Sequence, residues 1–146
     1  EVVDAAVSHV KTAIRNCASG KTYIALDIGP TGKLLKPMGD LDFEDAYEAF
    51  KEVMTYGEAA GADLIHIETM SDTYEMKAAV LAAKENTNLP VFVTAVFDER
   101  EKLLTGADIP AYVSLRCSRS ELWTGTFANE TNRRTYSEIC ICTGYC

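Results

Sequence analysis

Three cysteines fall within the last seven residues of the chain, Cys140, Cys142 and Cys146, with Cys117 ahead of them and Cys17 alone near the start. Thiolates hold zinc, so a metal site is the first chemistry such a cluster suggests. The spacing fits it poorly, because Cys140 and Cys142 have only one residue between them. A disulfide scaffold fits no better: five is an odd number, and such a scaffold would spread its cysteines through the chain. Two carboxylates are more informative. Asp27 and Glu68 each end a short apolar run, where α/β folds place their chemistry. A carboxylate closing a buried strand needs a cation or a donor. For Glu68 a lysine would be a structural partner and a substrate ammonium a functional one.

Other motifs carry less. Gly29-Pro-Thr-Gly-Lys33 has two residues between its glycines and Leu34 after the lysine, so it is a strand-end turn rather than a phosphate loop. Asp40-Leu-Asp-Phe-Glu-Asp45 alternates acids as a calcium loop does, but it lacks the sixth-position glycine and has Lys51 at the twelfth. It reads as a helix N-terminus, whose dipole favours acids. His66, inside an apolar run with no second histidine nearby, is expected to be a packed or hydrogen-bonded core residue rather than a catalyst.

The elements that must position these groups follow from periodicity. Val3, Val7, Val10, Ile14 and Cys17 make one helical stripe, with Gly20 as a stop. Residues 22–28 form a strand closed by Gly29-Pro30. Asp42 caps a helix whose stripe is Phe43, Tyr47, Phe50 and Met54. Residues 63–68 form a second strand. Ser71 is the expected cap of a helix over 73–84 that turns Met76, Val80 and Ala83 inward, and residues 90–97 form the third strand. Short strands alternating with long helices predict βαβ units and a parallel sheet, in either a barrel or an open doubly wound form.

The chain has 146 residues, 47% of them apolar, enough for one domain with a core. Its net charge of −8 disfavours nucleic acid or an anionic membrane as partner. No run approaches the roughly 20 apolar residues of a membrane-spanning helix, and no leader pattern is seen, so a cytoplasmic location is expected. The chain starts at Glu1 in what reads as mid-helix, which suggests a missing upstream segment.

Asp27-Ile-Gly-Pro-Thr-Gly32, Ile67-Glu-Thr-Met-Ser-Asp72, Lys77-Ala-Ala-Val-Leu-Ala-Ala83, Phe97-Asp-Glu99 and Leu104-Thr-Gly-Ala-Asp108 follow one another in order. Over residues 1–112 this succession closely resembles the homocysteine S-methyltransferase domain, nearest to the N-terminal domains of cobalamin-dependent methionine synthases. The resemblance implies a (β/α)8 TIM barrel, of which this α/β chain would be a fragment covering about strands 3 to 5. It implies methyl transfer to the zinc-bound thiolate of homocysteine to make methionine, with methylcobalamin and methyltetrahydrofolate served by the remaining domains of the parent enzyme. Glu68 matches the acid that holds the substrate amino group, and Asp27 belongs to the same mouth. The family's zinc-binding Gly-x-Asn-Cys and Gly-Gly-Cys-Cys segments do not occur here. The chain alone is therefore expected to be inactive.

Residues 113–146 depart from the pattern. They show no sustained period, hold the only tryptophan, Trp123, and contain four arginines but no lysine. Back-translating Trp123 to Tyr145 and reading from the second base of each codon permits G-L-x-L-L-P-M-K-P-I-E-E-L-T-Q-K-Y-A-S-V-P-V-I, the helix and strand of a next barrel unit. A frameshifted or mispredicted tail is the expectation, and coding DNA that forbids this reading would refute it. The alternative is a stand-alone small α/β binding module with a metal-binding, cysteine-rich tail, whose metal Cys140→Ser would release.

Overall fold

The structure, a computed structural model, describes residues 1–17, 20–114, 123–128 and 136–140. In chain order the elements are α1 (Val2–Cys17), β1 (Ala25–Ile28), α2 (Phe43–Ala60), β2 (Leu64–Met70), α3 (Thr73–Asn86), β3 (Val91–Val96), α4 (Ile109–Ser114), β4 (Trp123–Ala128) and β5 (Tyr136–Cys140). The strands lie side by side in sequence order. β1, β2 and β3 are parallel, as the alternating pattern predicts, and β4 continues the parallel run before β5 pairs with it antiparallel. β4 and β5 lie in the stretch where no period is expected. Trp123, Thr124, Thr126 and Phe127 are nonetheless residue types that favour strands.

Strand parity decides what is covered. Leu26 and Ile28, Ile65 and Ile67, and Val91, Val93 and Ala95 are all buried. They share a core with Ala46, Phe50 and Met54 of α2 and with Met76, Val80 and Ala83 of α3. The expected inward stripe of α3 is thus present. On α2 Phe50 and Met54 are buried, and Phe43 and Tyr47 flank them half-buried. Gly57 lets α2 approach β1, since a Cβ there would sit 2.3 Å from Leu26 Cδ2. α2 ends at Gly61, which has φ 92° and donates its N–H to Glu58 O.

Some details differ from the sequence expectations. Of the α1 stripe, Val7 is buried and Val3 and Ile14 pack half-buried against the core, whereas Val10 and Cys17 are exposed. The cap of α3 is Asp72, not Ser71: its carboxylate accepts the Tyr74 N–H at 2.8 Å. Asp42 precedes α2 without capping it through its side chain, which instead meets Lys36 Nζ at 2.8 Å. Among the described residues no helix is long and apolar enough to cross a membrane.

Candidate functional site

The opposite parity of the same strands leaves a polar face. Asp27 on β1 stands opposite His66 on β2, and His66 opposite Phe92 on β3, with Glu68 and Thr94 further along. None of these residues is buried. Parallel sheets are normally covered on both faces, yet among the described residues only the α2 and α3 side is covered.

A β-bulge places Glu68. Ile67 pairs with Val93 and Met70 with Ala95, so β2 spends three residues where β3 spends two. The extra residue keeps both Ile67 and Met70 in the core and leaves Glu68 and Thr69 together outside it. Bulges re-aim side chains in this way. Thr69 takes φ 51°, a left-handed conformation that a β-branched residue adopts only under strain. Its N–H is held by Thr94 Oγ1 at 3.0 Å. Thr69→Gly is expected to raise stability by about 1 kcal/mol in urea unfolding, because relief of the strain exceeds the added chain entropy. Thr69→Val, which stays β-branched, should show no such gain.

Asp27, His66 and Glu68 come together: one ligand atom from each lies within 4.8 Å of the other two. His66 Nδ1 is 3.6 Å from Asp27 Oδ1, with side-chain exposures of 35% and 61%. That separation is longer than a hydrogen bond. His66 is therefore neither the packed nor the hydrogen-bonded core residue expected from its apolar neighbours; strand alternation turns it to the polar face. Glu68 does not close its strand either. It lies two residues before the end, half-buried, with no hydrogen bond or ion pair to a described residue.

The loop after β1 is anchored from below. Glu75, in the first turn of α3, is 2% exposed and accepts the Thr31 N–H at 2.6 Å and the Thr31 hydroxyl. Nothing in the sequence separates this acid from a solvated one at a helix start. Beyond β3, Asp98 accepts the N–H groups of Arg100 and Lys102, both at 2.9 Å. Asp108 is held below the usual carboxylate range by the Ala111 N–H and then by Lys102. Phe97 and Tyr112 close that end edge to face, with ring centroids 5.6 Å apart, and burial pushes the Tyr112 phenol up.

A three-thiolate zinc set does not fit the described side chains. Cys17 is exposed on α1, on a different element from the polar face. Cys117, Cys142 and Cys146 lie outside the described residues, and Cys140 ends β5, where the backbone alone is described.

Comparison with known proteins bears on the family and the fold. The model of the homocysteine S-methyltransferase family matches residues 1–129. Methionine synthases from Mycobacterium leprae and Mycobacterium tuberculosis are each 29% identical over 96 residues. Those alignments cover 62% of this chain and 8% of each enzyme. Among solved structures, the apo form of the homocysteine methyltransferase MmuM from Escherichia coli superposes with a TM-score of 0.61 at 19% identity. That match covers 77% of this chain and 41% of MmuM, so the α/β unit has the fold of a piece of that enzyme. By the extent of the family match, the chain belongs to the homocysteine S-methyltransferase family.

Proposed function

We propose that this chain is the part of a methionine-forming methyltransferase barrel, about its strands 3 to 5, that receives the amino-acid end of homocysteine. The observation that carries the reading is Glu68 itself: a half-buried carboxylate aimed by a bulge onto an open polar face, without a cation among its described neighbours. An ammonium group there would gain a charge-assisted hydrogen bond from a residue fixed on a strand. Asp27, one strand away, lines the same mouth and adds to its negative field.

The face would then orient the substrate so that its sulfur points away from the carboxylates, towards the methyl donor. A free thiol, with a pKa of about 8.5, is mostly protonated at neutral pH, and coordination to zinc would supply the thiolate. The described residues offer no thiolate set for that metal, so we assign no chemical step to them. The remaining strands, and the domains that would serve methylcobalamin and methyltetrahydrofolate, are taken to belong to the larger parent enzyme. In support, the chain spans only 8% of the methionine synthases that it matches. The isolated chain is accordingly proposed to be inactive in methyl transfer.

Titration of the chain with homocysteine, followed by NMR, tests the reading. Homocysteine should shift resonances around the end of β2, and Glu68→Gln should weaken its binding by roughly tenfold or more, the value of a hydrogen bond to a charged group. The analogue without the amino group should bind the unaltered chain and Glu68→Gln equally. Equal homocysteine binding by the two proteins would refute the assignment.

A further inference from the structure

We propose that Asp27, His66 and Glu68 form a divalent-metal site of the chain itself, one that takes a first-row transition ion through one imidazole nitrogen and two carboxylate oxygens. The 3.6 Å between His66 Nδ1 and Asp27 Oδ1 is too long for a hydrogen bond. It is close to the spacing of two ligands on one ion: donors about 2.1 Å from a tetrahedral metal lie about 3.4 Å apart. All three ligand atoms lie within 4.8 Å of one another, so shifts of about 1 Å or less would bring them to a common ion.

Two features of the backbone hold this arrangement. Asp27 and His66 are register partners on hydrogen-bonded parallel strands, which fixes their separation. Glu68 follows His66 on the same face and is turned by the bulge at Thr69, whose amide Thr94 secures. A site on strands holds its ligands more closely than one on loops. Mixed nitrogen and oxygen donors suit ions of borderline hardness, and three protein ligands leave positions open for water or substrate atoms.

The site shares Glu68 and Asp27 with the homocysteine reading, so a metal ion and a substrate ammonium would compete for them, but it also needs His66, which that reading does not use. The probe is Mn2+ alone, which accepts carboxylate and imidazole but is a poor match for thiolates, so the cysteines of the tail do not confuse the result. Electron paramagnetic resonance of the full chain should show one bound Mn2+. Substoichiometric Mn2+ should broaden the His66 imidazole signals before those of His9, which lies on α1. His66→Ala and Asp27→Asn should each weaken binding by more than about tenfold while circular dichroism stays unchanged, and Cys140→Ser should leave it unaltered. The proposal is overturned if no Mn2+ binds, if His66 and His9 broaden alike, or if His66→Ala binds as the unaltered chain does. The broadening experiment uses the unaltered chain and does not depend on any variant folding.

Discussion

Glu75→Ala is expected to destabilise the chain by about 3 kcal/mol, a large effect for one surface-loop anchor. The Glu75 carboxylate is 2% exposed and makes two contacts, both with Thr31, to whose amide it lies at 2.6 Å. Truncation removes both hydrogen bonds to Thr31, which is itself exposed, and opens a void where the buried Glu75 side chain packed at the start of α3. Two hydrogen bonds to a charged group and the lost packing of a buried side chain together set the size of the effect. Glu75→Gln keeps an acceptor oxygen of nearly the same shape and should cost only about 1 kcal/mol. The loop that Thr31 anchors leaves β1 after Ile28, the residue that follows Asp27, so Glu75→Ala should also raise hydrogen exchange at residues 29–32. Urea unfolding and exchange together check this. A loss under about 0.5 kcal/mol for the alanine variant would show that Thr31 is held by something else.

How much of this was legible beforehand depends on the kind of signal each residue carries. The three parallel strands and the inward faces of α2 and α3 follow from apolar spacing, since burial is what spacing encodes. Asp27 and Glu68 could be singled out because a carboxylate at the end of an apolar run has to be accounted for. The bulge could not be seen. A change of parity between Ile67 and Met70 looks the same in sequence as the end of a strand, so apolar spacing alone ends the strand at Glu68. His66 was masked by its neighbours: Ile65 and Ile67 make the run look buried on both sides, whereas alternation buries only those two. Glu75 was hidden by its position, because an acid in a first helical turn is favoured by the dipole whether water or protein covers it. Asp72 and Ser71 both have the chemistry of a cap, so composition alone does not separate them. For the bulge, His66 and Glu75 the missing information is which partner lies across the sheet or loop, a long-range fact that local pattern does not hold.

The central strand is where packing and site chemistry meet, and Ile67→Ala should show this with a loss of about 3 kcal/mol. Ile67 has no exposed surface, lies opposite Ile28 on one side and Val93 on the other, and is the last residue in regular register before the bulge. Deleting its branched end removes transfer energy and leaves a cavity that two hydrogen-bonded neighbouring strands cannot collapse to fill. For a domain of this size the midpoint of thermal unfolding should fall by about 10 °C. Ile67→Val, which removes a single methylene, should cost about 1 kcal/mol. The two variants also separate fold from function. Glu68 is aimed by a bulge that starts at Ile67, so Ile67→Ala should weaken Mn2+ binding even at temperatures where the chain remains folded. Ile67→Val should retain both the bulge and the binding. If Ile67→Ala instead lowers stability and leaves binding intact, then Glu68 is positioned by Thr69 and Thr94 rather than by the core beneath it.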